Sequence, residues 1–170
     1  MGISPIYKTR LKCIAAFLVA LMLLLAAVIA IEVFGGQPMG LFSGSRPTQL
    51  GYHDGKFAPP PWKPNCVSST TETSDKHYIA PLQFSGSPQD AWKRLGELIR
   101  KFPRTHVVSE TAHYLYVEFS SAGMGFVDDV EFALDEKNGV IQVRSASRLG
   151  IRDFNVNRER VEKIRREMSN

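Results

Sequence analysis

Two runs carry the most regular alternation of hydrophobic and polar positions: Phe126-Val-Asp-Asp-Val-Glu-Phe132, and Val140-Ile-Gln-Val-Arg-Ser-Ala-Ser-Arg148. A period of two marks half-buried strands, and Asn138-Gly139 between them is a hairpin signal of the type I′ kind. Counting outward from a two-residue turn pairs Lys137 with Val140. Val130, Phe132 and Leu134 then share a face with Val143, Ser145 and Ser147. Asp129, Glu131, Arg144 and Arg148 share the other, with Asp129 opposite Arg148 and Glu131 diagonal to both arginines. A slip of one residue would turn carboxylates into the core, so the pattern itself defends the face assignment.

Upstream, Thr105–Glu110 is rich in β-branched residues, and in His113–Ser120 the residues Leu115, Val117 and Phe119 alternate with Tyr114, Tyr116 and Glu118. Both read as strands. Tyr78–Phe84 reads as a shorter strand that Pro81 confines to an edge. Ser87-Pro88 with Asp90 is a helix start, and Ala91, Leu95, Leu98, Ile99 and Phe102 recur at helical spacing until Pro103. A helix over 88–102 follows. Asn157 is the expected cap of a last helix, with Val156 and Val161 as its staple and Val161, Ile164 and Met168 as its narrow apolar stripe. The order strand, helix, four strands, helix predicts an α+β fold: an antiparallel sheet of about five strands with two helices on one face. As an element order it resembles the helix-grip arrangement.

Before this domain lies a different pattern. Cys13–Ile31 is an apolar run of 19 residues, long enough as a helix to cross a hydrocarbon core of about 30 Å. Lys8, Arg10 and Lys12 precede it and no cation directly follows, which predicts a cytoplasmic amino end, an anchor in the cytoplasmic (inner) membrane, and a periplasmic or otherwise extracytoplasmic domain. A cleaved signal peptide with a cut near Val28-Ile29-Ala30 is the competing reading; the run exceeds the usual 7–15 apolar residues of such signals, which favours an anchor. Residues 35–64, with six Gly and six Pro, read as linker or irregular wrap. The expected organisation is therefore a tail at 1–12, an anchor at 13–34, a linker at 35–64 and an exported domain at 65–170.

Charge changes this picture little. The formal net charge is +4, but three of the cations flank the apolar run, so the remainder is nearly neutral. No basic stripe or motif for nucleic acid is present, and none is expected as a partner. The expected contacts are the membrane, through one helix, and a protein partner or a small anionic ligand. No cofactor is implied: Gly123 and Gly125 fit no phosphate-binding spacing.

Several pieces together carry a family resemblance: Leu50-Gly51 with Asp54-Gly55, Pro64-Asn-Cys-Val-Ser-Ser69, Ile79-Ala-Pro-Leu82, Phe126–Phe132, and Val143-Arg-Ser-Ala-Ser-Arg148 with Gly150, Asp153, Asn157 and Arg158. The chain resembles the family of domain of unknown function 1499. That resemblance implies a small membrane-associated or exported domain and no stated activity. It also implies a second cysteine where this chain has Pro60, so a role requiring a thiol pair is not available here.

Two constellations carry candidate chemistry. Arg144, Arg148 and Arg158 offer guanidinium forks for a carboxylate or phosphate, unless Asp129 and Glu131 already occupy them in a cross-strand ladder. Cys66, alone in the exported part, would be the nucleophile of a thiol-dependent hydrolase or transferase with His77 as base; its alternative is a buried anchor residue, which the surrounding turn formers favour. His53, Cys66 and His77 match no zinc spacing, so no metal site is expected. A binding or assembly module is the preferred reading, and no complete catalytic set is visible.

Overall fold

The structure is a computed structural model that describes residues 5–34, 40 and 42–169. The chain divides into two units, Met1–Gln37 and Pro38–Asn170. In the first, helix α1 spans Pro5–Phe34, and its window Lys12–Ile29 has a mean hydropathy of 2.7. Length and composition suffice to cross a membrane, a test that a signal sequence also passes. Residues 1–4 of the expected tail, and 35–39 and 41 of the expected linker, lie outside the described residues.

The second unit is built on one antiparallel sheet of six strands: β1 Cys66–Ser68, β2 Leu82–Gln83, β3 Thr105–Glu110, β4 Tyr114–Ser120, β5 Val127–Asp135 and β6 Val140–Ser147. Their order is β1-β6-β5-β4-β3, with β2 also pairing β6. Helices α2 (Pro88–Ile99) and α3 (Val156–Met168) complete the α+β architecture. Leu95 and Ile99 of α2 and Val161, Ile164 and Met168 of α3 join Leu115, Val117, Phe119, Val130, Phe132, Ile141 and Val143 in one core. This apolar face is the one read from the alternation.

The α2 start behaves as its residues require. Ser87 Oγ accepts the Asp90 amide at 3.1 Å and donates to the Asp90 carboxylate at 2.7 Å, with Pro88 where a free N–H is not needed. The helix ends at Ile99, three residues earlier than expected.

Three expectations are corrected. The hairpin does not turn through two residues. Asp135 pairs with Val140, so Glu131 faces Arg144 directly and Asp129 faces Ala146. A type I′ turn needs positive φ at both central residues, and of Asn138 and Gly139 only Gly139 adopts it, at +65°. Asn138 instead donates its backbone N–H and its side-chain amide to the Asp135 carboxylate, at 3.1 and 2.8 Å. This closes a longer loop. The shift of two residues preserves the faces and changes the partners.

Second, Asn157 does not cap α3. Asn155, left-handed at φ +68°, stands at the cap without a side-chain bond, and Asp153 accepts the Asn157 amide at 3.0 Å. Val156 is exposed while Val161 is buried, so the expected staple does not close. Third, the Tyr78–Phe84 strand shrinks to Leu82–Gln83, because the chain ahead of Pro81 bridges Ser68 through Tyr78 in a parallel sense. Cys66–Ser68, read as a linker attachment, is a sixth strand paired with Arg144–Ala146.

Candidate functional site

Of the two forms open to the Pro/Gly-rich segment, residues 42–64 take the irregular wrap. Through Arg46, Gly51 and Ala58 they cover the sheet face opposite the helices. Gly51 donates its amide to Glu131 Oε1 at 2.7 Å, Ala58 accepts from Arg144 Nε at 3.1 Å, and Arg46 Nε reaches Glu118 Oε1 at 2.7 Å. Phe57 is buried against this face and packs on Tyr52 with ring centroids 5.0 Å apart. Wrapping thus encloses the charged side of the sheet. Glu118 and Asp129 are 1% exposed, Glu131 is 0% and Arg144 is 8%.

A buried charge is tolerable only when paired and hydrogen-bonded, and these are. Arg148 Nε lies 3.1 and 3.0 Å from the two Asp129 oxygens, its Nη2 lies 2.7 Å from Oδ1, and it also bonds Glu118 and the Tyr116 hydroxyl. Arg144 Nη1 meets Glu131 Oε2 at 3.2 Å. Tyr114 and Tyr116 donate their hydroxyls to Glu131 at 2.9 Å and Asp129 at 2.5 Å. Burial, with the neighbouring carboxylates, pushes both phenols well above their usual range. For Arg148 burial lowers the pKa, and the bonds to Asp129 and Glu118 outweigh it and raise the net value.

The carboxylates respond in opposite senses. Burial raises Glu131, and the Gly51 amide, Arg144 and Tyr114 offset it only in part. Burial also acts upward on Glu118, but the bonds from Arg46 and Arg148 prevail and hold it below the ordinary carboxylate value.

The candidate arginines are therefore committed to protein acceptors. Arg158, the third, donates Nη2 to the carbonyls of Tyr78 at 2.8 Å and Lys76 at 3.2 Å. The geometry gives a structural ladder and does not assemble the three into one anion pocket.

A second polar centre joins α3 to the sheet, and alternation did not reveal it. Asn157, fully buried, donates to Asn65 O, Ser147 Oγ and Asp153 Oδ2 at 3.1, 2.9 and 2.9 Å, while its Oδ1 accepts from Ser145 Oγ at 2.5 Å and Arg160 Nη1 at 2.8 Å. Arg160 also pairs with Asp128 at 2.5 Å. The signal available was the i, i+3 spacing of Asn157 and Arg160 facing a strand with serines at alternate positions. Glu118 and Tyr116 were likewise legible as one face of β4, and the β4–β5 register sets them opposite Asp129 and Glu131.

Cys66 and His77 do come together, lining a cleft of about 100 Å³ with Pro64, Lys76, Asp153 and Arg158. Their surroundings disfavour a catalytic pair. Cys66 is 4% exposed, its Sγ points to the Val67 carbonyl at 3.7 Å, and burial pushes the thiol up to about 11. Both His77 ring nitrogens are engaged elsewhere, Nδ1 with Asp75 at 2.8 Å and Nε2 with the Lys63 carbonyl at 3.0 Å. A nucleophile needs a free base and a thiolate near neutral pH; the engaged His77 ring and the raised thiol work against both. Among the described residues no group of three or more His, Cys, Asp or Glu side chains is arranged to hold a metal ion.

No curated protein and no solved structure matches the chain. The residues that build the ladder, the Asn157 centre and the cleft all fall within 56–168 except for the contacts from Arg46 and Gly51. Over that span the chain matches the family model described as protein of unknown function (DUF1499), and it belongs to that family.

Proposed function

We propose that the protein is a membrane-anchored, extracytoplasmic module that acts by binding a partner or ligand and not by thiol chemistry. The anchor reading is supported by the apolar window of α1, with Lys8, Arg10 and Lys12 before or at its start. The single observation that carries the binding reading is the state of Cys66: buried, raised to about 11, and beside a histidine whose ring nitrogens are both occupied. The adjoining cleft, at about 100 Å³, is well below the several hundred Å³ of a small-molecule site, which disfavours a substrate pocket at Cys66.

The test is alkylation of the full chain carrying Cys13→Ala, which leaves Cys66 as the only thiol. With a pKa near 11 against about 8.5 for free cysteine, Cys66 reacts at least ~100-fold more slowly at neutral pH. A rate above that of free cysteine supports the hydrolase or transferase reading instead.

A further inference from the structure

Among the described residues of the second unit, the exposed large hydrophobic side chains are confined to a few segments. Phe42, Met124 and Leu149 are three of them. They meet at one end of the sheet: Phe42 stacks on Phe126 at 5.0 Å, Gly40 packs directly on Gly125 beside Met124, and Gly44 lies against Leu149. This is where β4 ends, β5 begins and β6 ends, since Ser120 pairs with Val127 and the Arg148 amide bonds the Val127 carbonyl. Ile151 and Phe154 in the loop that follows β6, and Val156 at the start of α3, continue the patch at 60, 87 and 45% exposure. Trp62, 74% exposed, precedes Pro64, which shares a cleft with Asp153 and Asn155 of that loop.

The loop presents Phe154 at a conformational cost. Phe154 and Asn155 are consecutive left-handed residues at φ +53° and +68°, a region that a bulky side chain rarely adopts. Asp153 holds the turn by accepting the amides of Asn155 and Asn157. Phe154 is thus held with its ring outside the core.

Two observations identify the occupant. The chain joins the domain at this same end, through Gly40 and Phe42, and α1 ends at Phe34. Only residues 35–39 of the sequence separate Phe34 from Gly40, so a chain anchored through α1 is tethered at this end of the domain. Arg152 is exposed within the loop, and Arg104, also exposed, is fixed at this end by its bond to the Ser120 carbonyl at 3.2 Å. Aromatic and aliphatic side chains flanked by arginine suit an interface of acyl chains and anionic headgroups.

We propose that this end of the domain docks on the surface of the membrane that holds the anchor, inserting Ile151 and Phe154 among the lipids with Arg104 and Arg152 on the headgroups. The proposal rests on the anchor reading above. It would hold the domain in one orientation, with the β5–β6 hairpin loop facing away.

The test uses the full chain in phosphatidylcholine vesicles containing phosphatidylglycerol. The substitutions Trp62→Phe, Trp92→Phe and Phe154→Trp leave one fluorescent reporter, at position 154. In vesicles with brominated acyl chains that emission is expected to be largely lost. A reporter moved to the far loop by Lys137→Trp, with Phe154 restored, keeps its emission. Ile151→Ser and Leu149→Ser, both at exposed positions, are expected to weaken the quenching at 154 while the chain still sediments with the vesicles. Emission at 154 unaffected by bromine in a chain that sediments overturns the docking and leaves the anchor standing. Equal quenching at both positions also overturns it. A chain that stays in the supernatant contradicts the anchor and the docking together, and an unquenched reporter in a chain that cross-links to a second copy assigns the patch to a protein contact.

Discussion

The two faces of the sheet are both interior, and they are built from opposite materials. Under α2 and α3, Phe132, Val130, Val143 and Leu115 are at most 1% exposed and belong to one apolar core, whose burial is favourable wherever packing is good. Under the wrap, Glu118, Asp129, Glu131 and Arg144 are nearly as inaccessible and hold their place through directed bonds. The apolar face tolerates any cover of the right shape. The ionic face requires particular atoms from its cover: the Gly51 amide, the Ala58 carbonyl and the Arg46 guanidinium. A segment of low regular structure is thereby made part of the fold.

Truncation on either face should be severe, for different reasons. Phe132→Ala leaves a cavity in the centre of the core and is expected to cost about 3–5 kcal/mol in denaturant unfolding of the full chain. Glu131→Ala is expected to fall in the same range, about 3–5 kcal/mol, because Arg144 is left charged, buried and without its carboxylate. The faces separate in the second substitution: adding Arg144→Met to Glu131→Ala restores part of the loss, whereas Leu115→Ala added to Phe132→Ala deepens it. Absence of any restoration would remove the distinction.

A smaller effect is expected where the wrap meets the sheet. A Cβ on Gly125 would lie 2.3 Å from Gly40 Cα, and Gly125 itself is left-handed at φ +69°. Gly125→Ala should therefore cost about 1–3 kcal/mol and loosen the start of the wrap, leaving the helix-covered face intact.

The smallest effect expected is the response to pH, and its sign differs within the ionic face. Glu118 is held below its unfolded value, so its contribution is present above about pH 4.3 and is lost as the pH falls through the folded value. Glu131 is held above it, so its ionisation is a burden that appears as the pH rises from about 4.3 through the raised folded value. The advantage of the wild type over Glu118→Gln should shrink toward acid. Relative to Glu131→Gln it should shrink toward neutral. Unfolding measured across that window for both variants checks the pair of signs.

Much of this was legible in the residues. Alternation in Phe126–Phe132 and Val140–Arg148 gave the faces correctly, because face depends only on parity. It gave the partners wrongly by two positions, since Asp135 bonds Asn138 and lengthens the turn. Ser87-Pro88 marked α2 because capping is local chemistry. Cys66–Ser68 was not visible as a strand: three residues carry no period, and their pairing to β6 is a tertiary fact. Nor does Pro/Gly composition distinguish a free linker from a wrap, because both avoid regular backbone bonding. Arg144 and Arg148 were legible on one face with Asp129 and Glu131, and the strand carboxylates Glu118, Asp129 and Glu131 pair them within the protein.

The claim that the wrap closes the ionic face is tested most directly by site-resolved hydrogen exchange of the full chain at Gly51 and Phe57, whose amides bond Glu131 and Thr70. Both amides should exchange far more slowly than an unstructured chain, at rates approaching those of the β5 and β6 amides. Exchange at the rate of a free linker would contradict a closed face and return Arg144 and Arg148 to the surface.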